Sequence, residues 1–163
     1  MNKKILTFAI TVCNEIDELE RLLTRLTTSY DKNTCDILIM KDVANITYDN
    51  ELKISQLLNV NFCTEFYDGD LKITNGSFLG NFSEFKNQLE PACNSDYIFQ
   101  IDADELPSEY LVKTLPEILT KNPTVDILYV PRINTVHNIE EKHILEWRWA
   151  ISSIEALPKK VID

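Results

Sequence analysis

NSDYIFQIDADELP, Asn94 to Pro107, is the stretch whose reading decides the fold. Its apolar run, Tyr97-Ile98-Phe99-Gln100-Ile101, has the length of a strand buried on both faces. Asp102, Asp104 and Glu105 follow at once. Open α/β sheets bind their ligands at the carboxyl ends of such strands. In an extended chain, residues two apart point the same way, with Cα atoms roughly 6–7 Å apart. Asp102 and Asp104 are therefore expected to converge on one cation while Ala103 turns away. Hard oxygen donors of this kind suit Mg²⁺ or Mn²⁺. The competing reading is an acidic helix start ahead of Pro107, where negative charge faces the helix dipole.

Working outward, the flanks alternate between strand and helix patterns. Ile5 to Val12 reads as the first strand. Asn14 is a good N-cap for the helix that follows, on which Ile16, Leu19, Leu22, Leu23 and Leu26 form one stripe ending near Thr28-Ser29. Asp36 to Met40 is the second strand, capped by Lys41-Asp42, and Leu52 to Leu58 a short helix. Val60 to Tyr67 alternates and is expected as the third strand. Asp68-Gly69-Asp70 and Asn75-Gly76 mark turns. Phe82 to Leu89 is helical in spacing, with Pro91 just beyond. After the acid cluster, Pro107 suits a helix start, and Pro116 should kink or split the helix carrying Leu111, Leu115, Ile118 and Leu119. Asp126 to Val130 is expected as a further strand, and Glu140 to Ile154 as a last helix. The whole is an α/β chain: a mostly parallel, twisted, Rossmann-like sheet with helices on both faces, in a single domain over residues 1–163.

Composition narrows the function. The chain has 163 residues, 44% hydrophobic and 26% charged, ordinary for a globular domain with a real core. A net charge of −10 and a pI near 4.7 argue against nucleic acid as a partner. Three glycines leave no room for a P-loop or a GxGxxG loop, so a bound phosphate wants a metal ion or a local set of N–H donors. Cys13, Cys35, Cys63 and Cys93 fit neither a zinc site nor a disulfide framework, and buried free thiols imply a reducing, cytoplasmic setting. Lys3-Lys4 and the run after it mimic a signal peptide, but the run is short and leads into acid, so a core strand is expected. No run approaches the ~20 apolar residues of a membrane span.

Three features together resemble the family 2 type of glycosyltransferases, with the GT-A fold. One is the first strand running into Thr11-Val12-Cys13-Asn14-Glu15 and an acidic, leucine-striped helix. Another is Lys86-Asn87, where that family commonly has Arg-Asn. The last is Tyr97 to Glu105, similar to the family's strand and Asp-x-Asp motif. The likeness covers roughly residues 3 to 136. It implies a transferase that moves a sugar from a nucleotide-sugar donor, a UDP-sugar above others, to an acceptor hydroxyl, with inversion and with Mn²⁺ or Mg²⁺. The acceptor would be a glycan, a lipid or a protein. By the same resemblance, Thr11, Asn14 and Glu15 would line the nucleotide pocket and Asp42 would approach the base. Lys86 and Asn87 would lie near ribose and diphosphate, Asp102 would meet ribose or metal, and Asp104 would bind the metal.

Plainer roles compete at each position: an N-cap for Asn14, a strand terminator for Asp42, a solvated helix residue for Lys86. The sequence departs from the family at its far end, where Asp163 follows soon after Trp147-Arg148-Trp149. The acceptor half is expected to be short or missing. Glu146, Glu141 and Glu140 are candidate bases by proximity in sequence alone. Trp147 reads as core and Trp149 as core or sugar platform. His137 and His143 match no standard ligand spacing. Two other functions remain in play: a catalytically incomplete nucleotide- or partner-binding relic, or half of a split enzyme, and a sugar-phosphate nucleotidyltransferase.

Overall fold

The computed structural model describes residues 3–62 and 71–132. The chain divides into two compact units, Met1–Pro123 and Thr124–Asp163. In the first, β1 (Lys4–Val12), β2 (Cys35–Asp42), β3 (Leu71–Gly76) and β4 (Ser95–Asp102) form one parallel sheet in the order β3-β2-β1-β4. The helices are α1 (Ile16–Ser29), α2 (Tyr48–Leu57), α3 (Phe82–Asn87) and α4 (Glu109–Lys121).

Alternation along the strands divides the core in two. Leu6, Phe8, Ile10 and Val12 of β1 point to one face with Cys35, Ile37 and Ile39 of β2, and there they meet α1, α2 and α4. Leu19, Leu22, Leu23 and Leu26 of α1 are wholly buried on this face; such burial is worth about 1.5–3 kcal/mol per side chain. Ala9, Leu38 and Met40 point the other way and pack under Phe85 of α3 and Leu89 just beyond it. The second core is the smaller of the two. A Cβ at Gly76 would lie 2.6 Å from Sδ of the buried Met40, so a larger residue there makes the methionine side chain shift.

Several expectations give way. β4 is the edge strand among the described residues and is not buried on both faces: Tyr97, Phe99 and Ile101 face the core, while Asp96, Ile98 and Gln100 are exposed. Asp96 and Gln100 are the polar residues such a face admits, and Ile98 between them is an exposed apolar side chain. Val60 to Phe62 do not begin a strand; α2 runs on through a widened, π-type turn over Leu58–Phe62, and Leu58 and Phe62 are buried by it. Residues 63–67 of that expected strand lie outside the described residues, and the strand that pairs with β2 is Leu71–Gly76, with Ile37 opposite Leu71. Lys41 and Asp42 belong to β2 and do not cap it.

The helix starts also differ in detail. Asn14 does not cap α1; Glu15 holds that place, with no side-chain cap bond. Ser108 caps α4 by accepting from the Leu111 N–H at 3.1 Å, so Pro107 sits one residue before the cap. Pro107 is still tied down, because its carbonyl accepts from Arg25 Nη1 at 3.2 Å. α4 is not split: it runs through Pro116, which is buried and forgoes one backbone bond.

In the second unit residues 127–132 carry no regular structure, so the expected strand at Asp126–Val130 is absent. Prolines 123 and 131 bracket that run, and Ile127 is 87% exposed, so it has no packing to hold it extended. The expected turn at Asp68-Gly69-Asp70, Cys63, His137, Glu140, Glu141, His143, Glu146, Trp147, Trp149 and the last helix lie outside the described residues.

Candidate functional site

β1 is central, and the chain leaves it and enters β4 on opposite faces. The connection after β1 carries α1 on the larger core, and the connection into β4 carries α3 on the smaller one. The carboxyl ends of β1 and β4 thus form a topological switch point, where open α/β sheets leave a crevice. The register places Thr11 directly opposite Asp102 there, on the face that α3 covers.

Burial of Phe85 fixes α3 and directs the next side chain, Lys86, over the strand ends. Lys86 Nζ donates to Thr11 Oγ1 at 2.9 Å and to Asp102 Oδ1, and Thr11 Oγ1 donates to that same oxygen. The lysine side chain is 18% exposed and the aspartate 43%. One cation and two oxygens therefore meet at the rim of an acidic molecule.

The acid cluster separates by role. The strand ends at Asp102, and residues 103–104 form a turn, held by Ala103 N–H donating to the Thr11 carbonyl and Glu105 N–H to the Asp102 carbonyl. Asp102 and Asp104 are thus not residues of one extended segment. Asp104 is exposed, and Glu105 turns back to accept the Asp102 N–H at 3.0 Å. Among the described residues no three His, Cys, Asp or Glu side chains gather closely enough to hold an ion. A Mg²⁺ that keeps waters and shares a substrate's phosphates needs only one or two carboxylates. Asp102 and Asp104 are carboxylates of that chemistry, one ending the strand and one on the turn after it.

Next to this group, Glu15 Oε2 accepts the N–H groups of Cys13 and Asn14 at 3.0 Å each. Asn14 reaches across to the loop after β2: its Oδ1 accepts from Thr47 N–H at 3.1 Å and Asn50 Nδ2 at 2.9 Å. Burial, then the charges of Asp42 and Glu15, push the Cys13 thiol above its ordinary value. Cys13 is only half-buried, unlike Cys35, which is wholly buried; Cys13, Cys35 and Cys93 are all free thiols. Asp42 is buried at the end of β2, and Asn87 is exposed at the end of α3.

Thr11, Lys86 and Asp102 thus come together as one group, and Asn14 and Glu15 flank it. Asp104 and Asn87 make no side-chain hydrogen bond to it. Asn45 and Asn50 belong to the same rim and escape a sequence reading. Their signal is the polar run Asn45-Ile46-Thr47-Tyr48-Asp49-Asn50 directly after a strand end. A depression of about 520 Å³ runs along α1, but its lining of Asp17, Glu20, Arg21 and Arg25 does not include the three-residue group. No helix of the described residues is long and apolar enough to cross a membrane.

No protein-family profile and no curated protein matches the chain. Among solved structures it is similar to residues 1-349 of S. aureus TarS in complex with UDP-GlcNAc. That match has a TM-score of 0.63 and 14% identity over 83% of this chain and 36% of that one. The same protein in complex with UDP matches with a TM-score of 0.55 and 14% identity, over 87% of this chain and 44% of that one. At such identity the likeness is one of fold: α/β, with a parallel sheet of GT-A type. The chain spans less than half the length of these neighbours.

Proposed function

We propose that this chain is the donor-binding part of a glycosyltransferase of family 2 type, taking a UDP-sugar and a divalent ion. The observation that carries this reading is the meeting of Thr11, Lys86 and Asp102 at the switch point. The fold is shared with a protein crystallised with UDP-GlcNAc and with UDP, which supports the choice of donor. In the reaction a bond forms between the acceptor oxygen and the anomeric carbon. The bond from that carbon to the diphosphate breaks on the opposite side, with inversion.

Negative charge grows on the diphosphate as it departs, and groups already aimed at it lower the barrier. Lys86 supplies one such cation from a fixed helix, and Thr11 supplies a hydroxyl. Asn14 and Glu15 shape the pocket beyond β1, Asp42 stands on the side of the base, and Asn87 on that of the ribose. Asp102 and Asp104 would hold Mn²⁺ or Mg²⁺, which would supply Lewis-acid neutralisation of the leaving group. The acceptor proton passes to a carboxylate, for which Glu146 and Glu141 are the candidates.

Titration calorimetry tests the donor site. UDP binding is expected to require Mn²⁺ or Mg²⁺ and to be lost in Asp104→Ala. Equal binding with and without the ion removes the metal from the proposal, and no UDP binding under either condition removes the donor site. A transfer assay with the same chain then asks whether it turns over alone.

A further inference from the structure

Asp42 ends β2 with its carboxylate turned inward. The residue is 5% exposed. Its Oδ1 accepts the N–H groups of Ala44 at 3.2 Å and Phe78 at 3.1 Å, and its Oδ2 accepts from Asn45 Nδ2 at 2.7 Å. Asn45 Nδ2 also donates to the Phe78 carbonyl at 2.9 Å, so one amide bridges both loops. A carboxylate offers about four lone-pair positions, and these bonds take three of them. A buried charge is costly unless it is bonded in this way, and charge-assisted bonds are the stronger kind. The contact reaches further. Phe78 packs on Phe82 and Phe85, with ring centroids 4.7 and 5.9 Å apart, and Phe85 precedes Lys86. One buried anion therefore ties the loop after β2 to the loop after β3, and through it to the helix that carries Lys86.

We infer that Asp42 is a positioning residue that clamps these two loops around the nucleotide pocket, and that selectivity for the base is set by other groups. The inference rests on the donor-site reading above. It differs from direct recognition of the base by Asp42 in what a substitution would change. A group that reads the base changes the ratio of affinities among bases. A clamp changes stability and lowers affinity for all of them alike.

Asp42→Asn keeps the shape but puts an amide N–H against one of the donors. It is expected to lower Tm by about 2–4 °C for each hydrogen bond lost. The Kd values for UDP, CDP and GDP, each with Mn²⁺, should all rise by one shared factor of about three to ten. Asn45→Ala opens the clamp from its other side and should show the same pattern; it carries the test alone if Asp42→Asn does not fold. The inference is overturned if Asp42→Asn keeps its Tm while the preference for UDP over CDP drops about tenfold. An unchanged Tm in both variants overturns it too. If the unsubstituted chain binds none of the three nucleotides, the donor-site reading fails, and the Tm comparison still decides whether the clamp exists.

Discussion

Lys86 carries more of the proposed chemistry than any other single side chain, because the molecule around it is strongly acidic. Asp102 holds its ammonium, and Thr11 shares it. Removing it leaves Asp102 and Glu15 to repel a diphosphate. Lys86→Ala is expected to weaken UDP binding about 10- to 100-fold, the range of one charge-assisted hydrogen bond. Lys86→Arg keeps the charge and should recover most of that loss in a parallel titration. Cys35 allows a separate test at this scale. Burial raises its thiol from 9.0 to about 11. The folded state then holds a proton that the unfolded chain releases first, so stability is full below about pH 9 and declines as pH rises toward 11. The slope is at most about 1.4 kcal/mol per pH unit for one group. Denaturant titrations at pH 8 and pH 10 measure it, and Cys35→Ala should flatten it. Legibility was uneven here. Thr11, Lys86 and Asp102 were each visible as residue types at strand and helix ends. Their bonding was not, since it depends on the register between strands some ninety residues apart. Asp104 shows the opposite case: a spacing of two means convergence only while the chain stays extended, and it turns after Asp102.

Among the elements, α3 is both the least self-sufficient and the one that positions Lys86. It has six residues, too few to persist without capping and packing. Asn81 caps it, its Oδ1 accepting the N–H groups of Ser83 at 3.1 Å and Glu84 at 3.3 Å. Gly80 enters the cap at φ +94°, a conformation in which a Cβ is strained even with open space around it. Gly80→Ala should cost about 1–2 kcal/mol and Asn81→Ala about 1 kcal/mol in denaturant unfolding. Each should also weaken UDP binding without touching the nucleotide; stability loss with unchanged UDP affinity would separate α3 from the site. Helices were the more legible elements because their stripes are local: the leucines of α1 and its end at Ser29 follow from spacing alone. Val60 to Phe62 stay helical although Val60 to Tyr67 alternates, and Leu71 to Gly76, which alternates less well, pairs with β2. Alternation does not create a strand; a free edge beside β2 does.

At the scale of the first unit, the described residues proposed for donor binding lie at one end of the sheet. β1 and β2 are deeply buried along most of their length, and their carboxyl ends open onto Thr11, Asn14 and Asp42. Among the described residues the amino ends carry polar contacts such as Thr7 with Ser95 at 2.7 Å and Lys72 with Asp36 at 3.4 Å. Strand alternation with helices made this polarity readable in outline, since parallel strands all end on the same side. Which strand would be central was not readable, because strand order is set by crossovers and not by any one segment's composition. The polarity gives a directional prediction for hydrogen exchange. UDP with Mn²⁺ should slow the amides of residues 12–14, 42–46 and 102–105, together with those of α3. Amides near Leu6, Asp36 and Ser95, at the opposite end of the same strands, should exchange at unchanged rates. The ligand also raises global stability, by about 2.7 kcal/mol at a hundred times its Kd. The comparison therefore belongs under conditions where local opening, not global unfolding, limits exchange. Protection confined to the amino ends, or spread evenly along the strands, would place the nucleotide somewhere other than the switch point between β1 and β4.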